Sequence, residues 1–210
     1  MTFRLTLADD HVLVRQGLRS LLEREACTVL AEASDGQQAL RDIEKFKPEI
    51  AILDITMPML NGLDAAREVS RSFSKTKTIL LTQHKEDQYV LEALEAGVRG
   101  YVLKSQVVSD LLEAIRAVSR GHVYLSPGLS LVLVEAYRSK SRPARDSITS
   151  RERQVLQLIA EGKSTKEIAD VLGITVKTAE SHRTRMMQKL DIHEVASLVL
   201  YAVRRGIVQP

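Results

Sequence analysis

Over the first 120 of its 210 residues the chain alternates two hydrophobic periods, and few folds accommodate that pattern. Phe3, Leu5 and Leu7 alternate as in a half-buried strand, and Val14, Gly17, Leu18, Leu21 and Leu22 then recur at helical spacing. The pair of signals repeats: a strand over residues 28–33, then a helix over 37–46 that must end before Pro48. Residues 50–53, Ile-Ala-Ile-Leu, form a continuous apolar run, as expected of a strand covered by helices on both faces. Helices over 63–73, 87–96 and 108–118 then alternate with strands over 78–81 and 101–103. Five strands alternating with five helices predict an α/β fold, a doubly wound five-stranded parallel sheet.

Such sheets bind ligands outside the carboxyl ends of their strands. The residues predicted there are Asp9 and Asp10 after the first strand, Asp54 after the third, Thr82 after the fourth and Lys104 after the fifth. Three carboxylates at one edge repel unless a divalent cation lies between them. Mg²⁺ suits the set, since it prefers oxygen ligands and binds one or two carboxylates together with a phosphate. Asp54 ends the most buried strand and is placed as a carboxylate nucleophile for phosphoryl transfer, with Lys104 and the Thr82 hydroxyl meeting the phosphoryl oxygens. Taken singly, each acid reads equally as a cap for the next helix, Thr82 as an N-cap and Lys104 as a solvated turn residue. Their placement at four strand ends on one edge favours a site.

Beyond residue 120 the pattern weakens. Ser126-Pro127-Gly128, a short helical stretch over 129–137 and the basic segment Arg138-Ser139-Lys140-Ser141-Arg142-Pro143 read as a linker over 121–145. The rest is helical. Thr149-Ser150-Arg151-Glu152 and Ser164-Thr165-Lys166-Glu167 both match the capping box, while Gly162 and Gly173 stop the two helices they start. A third helix, residues 176–190, follows the tight turn Leu172-Gly173-Ile174-Thr175, which is helix-turn-helix spacing, and a fourth spans about 194–205. The charge changes sign along the chain, with a net −2 over residues 1–125 and +5 over 126–210. A basic second domain suits a polyanionic partner, although ordinary charge fluctuation would give an excess of this size as readily.

On the third helix Ala179, Met186 and Leu190 form the predicted inward stripe, and Lys177, Thr178, Ser181 and Arg185 take the opposite arc. Lys177 and Thr178, near its start, suit base edges, and Arg183, Arg185 and Lys189 suit phosphates. Basic residues that merely solvate a helix give the same pattern. The single cysteine, Cys27, excludes an internal disulfide. Acids at positions 9 and 10 come too early for a signal peptide, and no apolar run reaches bilayer length, so a cytoplasmic location without membrane partners is expected.

The first part resembles the receiver domain of bacterial two-component response regulators over about residues 3–120. The resemblance rests on Asp9-Asp10-His11, on Leu53-Asp54-Ile55-Thr56-Met57-Pro58-Met59-Leu60-Asn61-Gly62, on Leu80-Leu81-Thr82 and on Gly100-Tyr101-Val102-Leu103-Lys104-Ser105. It implies that Asp54 is the phosphoacceptor and that Asp9, Asp10, Asp54 and the main-chain carbonyl of Thr56 hold Mg²⁺. It also implies a hydroxyl and aromatic switch at Thr82 and Tyr101, and phosphoryl-lifetime tuning at Thr56 and His84. An exposed loop residue is the equal alternative for His84. Two positions depart from the family pattern: Asn61 stands where many receivers carry Asp, and Ser105 where many carry Pro.

The second part resembles the LuxR-type DNA-binding domain over about residues 146–208. The match runs through Ile148 to Leu156, Ala160 to Ser164, Lys166 to Ala169, Ile174 to Thr178 and His182 to Leu190. It implies that Lys166 joins the phosphate contacts and that a face of the fourth helix carrying Val195, Leu198, Val199 and Ala202 dimerises on DNA. Together the two resemblances describe a NarL or FixJ type response regulator, with a receiver over 1–120, a linker over 121–145 and a DNA-binding domain over 146–210. The expected partners are a histidine kinase as phosphodonor, double-stranded DNA and, when active, a second copy in a homodimer. Such a protein is a transcription regulator rather than an enzyme. A phosphatase of the haloacid dehalogenase type needs a second Asp where Thr56 stands. A flavin module needs a hydroxyl- and glycine-rich loop where Asp9-Asp10-His11 stands. The surviving alternative is a receiver-containing regulator that works without phosphorylation.

Overall fold

The computed structural model describes residues 2–83, 87–127, 129 and 148–208. Within them the chain forms β1 (Phe3–Ala8), α1 (Val12–Glu23), β2 (Cys27–Ala33), α2 (Gly36–Phe46), β3 (Ile50–Asp54), α3 (Gly62–Ser72), β4 (Lys77–Thr82), α4 (Asp87–Glu95), β5 (Gly100–Leu103), α5 (Val107–Ser119) and β6 (Tyr124–Leu125). A helical unit follows: α6 (Ser150–Ala160), α7 (Thr165–Leu172), α8 (Val176–Leu190) and α9 (Val195–Arg204). No helix among the described residues is long and apolar enough to cross a membrane.

The sheet is parallel throughout, in the order β2-β1-β3-β4-β5-β6. The expected five strands are present and a sixth adds to them. Tyr124 and Leu125, assigned from sequence to the linker, pair with Gly100 and Tyr101. The addition is anchored by Ser126, whose hydroxyl donates to Asp110 at 2.5 Å and accepts from the Leu103 amide at 3.1 Å. Two residues are too short for a period to be read, which is why the sequence shows no strand there. The short helix expected over 129–137 lies outside the described residues except for Leu129, which is buried in the core of the sheet domain.

The reversal of strand order beside β1 leaves a crevice at the carboxyl ends of β1 and β3. The pleat explains the apolar run of β3: Ile50 and Ile52 pack on the side of α1 and α5, and Ala51 and Leu53 on the side of α2 and α3. All five β3 residues, Asp54 included, are buried. The loop after β3 folds back so tightly that a Cβ on Gly62 would lie 1.9 Å from the Asp54 carbonyl oxygen. Only glycine fits there.

The helical unit has its own core, with Val155, Leu156, Ile168, Ala179, Met186, Leu198 and Ala202 at its centre. Both expected capping boxes form, at Thr149 with Glu152 and at Ser164 with Glu167. Gly173 closes α7 in the left-handed conformation, at φ 62°, and Thr175 caps α8 through the Thr178 amide. The expected face of α9 needs correction. Leu198 and Ala202 are fully buried in this core, and the large apolar residues of α9 left exposed are Val195 and Leu200.

Candidate functional site

At the crevice, Asp9 and Asp10 directly follow β1, and Asp54 is the last residue of β3. Ligand atoms of Asp9, Asp10, His11 and Asp54 all lie within 4.8 Å of one another. Lys104, in the turn after β5, sends its Nζ to 2.8 Å from Asp9 Oδ2 and 2.9 Å from Asp54 Oδ2. One cation thus bridges two buried acids. Burial pushes the Asp54 carboxyl up to about 6; Lys104 opposes this, and Asp9 and Asp10 add to it. The cluster is therefore short of positive charge. An oxygen-rich set with this deficit fits a divalent metal ion.

Thr82 ends β4 and is buried, and Tyr101 lies on the neighbouring strand among the largest buried side chains. Thr56 sits in the loop after β3 and lines a cleft of about 200 Å³ together with Asp10, Met57, Pro58, Glu161, Ile207 and Val208. His84 lies outside the described residues. His11, which carried no role in the sequence reading, joins the acidic cluster with its Nδ1 2.7 Å from Asp10 Oδ1.

In the helical unit the outward side of the N-terminal part of α8 is open: Lys177, Thr178 and Ser181 are exposed, as are Arg185 and, on α7, Lys166. Two hydroxyls have local partners. Thr178 shares a 2.8 Å hydrogen bond with Thr175, and Ser181 donates to the Lys177 carbonyl at 2.9 Å. Arg183 is half-buried. Lys189 is placed differently from a free phosphate contact: its Nζ lies 2.7 Å from the carboxylate of Glu152, which is buried at the start of α6. Burial pushes the Glu152 carboxyl up, but hydrogen bonds from Lys189 and from the Thr149 amide and hydroxyl outweigh it and hold the group below its ordinary range.

Residues 5–116 match the response regulator receiver domain, and residues 146–202 match the bacterial regulatory proteins of the luxR family. The transcriptional regulatory protein LiaR of Bacillus subtilis is 36% identical over 98% of this chain and 99% of its own length. The chain belongs to the two-component response regulators. The oxygen regulatory protein NreC of Staphylococcus epidermidis is 34% identical over 98% of the chain and 99% of its own length. Among solved structures, RcsB from Salmonella enterica serovar Typhimurium, bound to the rprA promoter with a beryllofluoride phosphomimetic, matches at 27% identity. That match has a TM-score of 0.65 and covers 96% of this chain and 98% of that one. The family consists of DNA-binding transcriptional regulators, not enzymes.

In this response regulator the two units meet at the loop that follows the β3 aspartate, a junction the sequence reading did not find. Gln157 of α6 is completely buried. Its Oε1 accepts from the Asn61 amide at 2.8 Å and from Asn61 Nδ2 at 3.2 Å, and its Nε2 donates to the Met57 carbonyl at 2.8 Å. The Glu161 carboxylate accepts from the Met59 amide at 3.0 and 3.2 Å. Arg153 Nη1 meets Glu92 of α4 at 2.9 Å. Asn61, the departure from the usual Asp, caps α3 through the Asp64 amide at 2.8 Å and at the same time supplies the amide that Gln157 reads. The departure itself is visible in the sequence, but its partner stands 96 positions away and leaves no local trace.

Proposed function

We propose that a histidine kinase phosphorylates this response regulator on Asp54 and that the modified protein binds DNA as a homodimer to regulate transcription from the cytoplasm. The residues divide into a receiver that β6 and Leu129 extend beyond residue 120, a linker after it and a DNA-binding domain over 146–210. The observation that carries the reading is the Lys104 ammonium within ion-pair distance of both Asp9 and Asp54, beside the buried acidic cluster.

Asp9, Asp10, Asp54 and the Thr56 carbonyl would hold Mg²⁺, which supplies charge neutralisation at the phosphoryl oxygens. An Asp54 carboxylate oxygen attacks phosphorus, the P–N bond to the donor imidazole breaks and the imidazole leaves with its electron pair. Lys104 stabilises the charge on the phosphoryl group, and Thr82 donates to another of its oxygens with Tyr101 following that movement. Thr56, two residues after Asp54, and His84, two residues after Thr82, would set the lifetime of the phosphoryl group. On the DNA side, Lys177, Thr178 and Ser181 approach base edges and Lys166, Arg183 and Arg185 approach phosphates. Lys189 reaches phosphate only by leaving Glu152. The +5 charge of residues 126–210 and the exposed start of α8 support this reading.

Acetyl phosphate with Mg²⁺ is expected to label the wild type and to leave Asp54→Asn unlabelled; equal labelling of the two would refute the phosphoacceptor assignment.

A further inference from the structure

The turn that carries Lys104 is held at both ends by one residue that lies outside it. β5 ends at Leu103, Lys104–Gln106 makes a single 3₁₀ turn, and α5 begins at Val107. From the first residue of that turn Lys104 reaches Asp9 and Asp54 through a flexible four-carbon side chain. Its ammonium is therefore placed only as well as the turn is placed. No side-chain hydrogen bond caps the start of the turn, and Ser105 stands where the ring of a proline would fix a torsion.

Ser126 supplies the restraint. It is fully buried, and its amide donates to the Tyr101 carbonyl at 3.0 Å, which extends the pairing of β6 with β5. β6 ends at Leu125, so it is the Ser126 hydroxyl that accepts from the Leu103 amide, at 3.1 Å. The same hydroxyl donates to Asp110 Oδ2 at 2.5 Å, in the first turn of α5. The strand end before Lys104 and the helix start after it are thus tied through one oxygen. Asp110 is buried as well, and its Oδ1 accepts from the Ser109 hydroxyl at 2.8 Å. A serine that donates to a buried carboxylate while accepting from a buried amide uses both of its roles, and alanine in its place leaves both groups without a partner.

We propose that Ser126, fixed by Asp110, is a positioning residue for phosphoryl transfer: it holds the turn between Leu103 and Val107 so that the Lys104 ammonium meets Asp54 and the incoming phosphoryl group. The inference rests on the reading of Asp54 as phosphoacceptor. A displacement of about 1 Å at a group that stabilises the transferred charge costs up to about 10²-fold in rate.

The full chain is compared as wild type, Ser126→Ala, Asp110→Ala and Asp110→Asn, with Asp54→Asn as the unlabelled control. Asparagine is the conservative variant at 110: its Oδ1 accepts from Ser126 and its Nδ2 donates to the Ser109 oxygen, whose own proton goes to the Gln106 carbonyl at 2.9 Å. Two rates are read, labelling by acetyl phosphate with Mg²⁺ and acetylation of Lys104 by trace acetic anhydride without metal, the latter by mass spectrometry against Lys77. Lys77 donates to the Ser119 carbonyl at 2.8 Å, at the far end of α5, and reports any general loosening. Both alanine variants are expected to label roughly tenfold slower and to acetylate Lys104 several-fold faster with Lys77 unchanged, while Asp110→Asn stays within about twofold of wild type in both rates. Wild-type rates of either kind in both alanine variants would overturn the proposal. A parallel rise at Lys77 would overturn it too, because Ser126 and Asp110 would then serve stability alone. If wild type and Asp54→Asn label alike, it is the phosphoacceptor reading that fails, while the acetylation rates still decide whether Ser126 places Lys104.

Discussion

Asp54 is held where its charge is costly. Its carboxyl is raised to about 6, chiefly by burial, because Lys104 only partly offsets the loss of water and the nearness of Asp9 and Asp10. A carboxyl whose folded value lies above its unfolded value penalises the folded state once pH rises through the folded value, and not below the unfolded one. Without metal, Asp54→Asn is therefore expected to be more stable than the wild type at pH 7 to 8, by up to about 3 kcal/mol from a shift near two pH units. The gap should close as pH falls from about 6 toward 4, and a gap that instead widens in acid, in paired thermal melts, would reverse the assignment. Glu152 behaves in the opposite sense. Its folded value is depressed despite burial, so its pairing with Lys189 stabilises above the ordinary carboxylate range and is lost as pH drops through the folded value. Lys189→Ala should cost about 1–2 kcal/mol at neutral pH, allowing for a lysine that is partly exposed, and much less in acid. Asp9, Asp10, Asp54, Thr82 and Lys104 were legible in the sequence because each is a polar residue at the end of an apolar strand. Glu152 was legible only as half of a capping box, since its second partner lies 37 positions away.

At the level of elements, period and caps carried most of the information. The capping boxes at Thr149 and Ser164 and the left-handed Gly173 fix the helix-turn-helix frame from local chemistry alone, and each forms where its residues stand in sequence. One element escaped for a physical reason. β6 is two residues long and held by Ser126 with Asp110, a tertiary contact with no periodic trace. The α9 face that the resemblance assigns to dimerisation holds two residues, Leu198 and Ala202, that the bundle core buries, because one apolar stripe serves a core and an interface alike. The exposed start of α8 carries the DNA prediction. Lys177→Ala should weaken binding to a selected site by about 1–3 kcal/mol and relax preference at one base position. Arg185→Ala should weaken all sequences alike and reduce the slope of log affinity against log salt by about 1. Equal loss on specific and random duplexes for Lys177→Ala would move that residue to the phosphate class. Both are measurable by titration of fluorescent duplexes at several salt concentrations.

Across the whole molecule, the two faces of the sheet and the helical bundle form three cores, and Met59 is a receiver residue that packs against the third. That arrangement adds one strained position to the bonds of Gln157, Glu161 and Arg153 that join the sheet domain and the bundle. Met59→Gly separates the two effects. Glycine accepts the left-handed φ of 67° at no steric cost, which favours the receiver by about 1 kcal/mol, while deleting the side chain removes the apolar contact with the bundle. Coupled domains unfold together and uncoupled ones unfold at their own temperatures. Calorimetry of the wild type is therefore expected to give one transition, and Met59→Gly two, with the receiver transition raised and the bundle transition lowered. A single transition at lower temperature in the variant would mean that the side chain stabilises the receiver more than its backbone conformation strains it, and that the junction through Gln157 couples the domains without help from Met59.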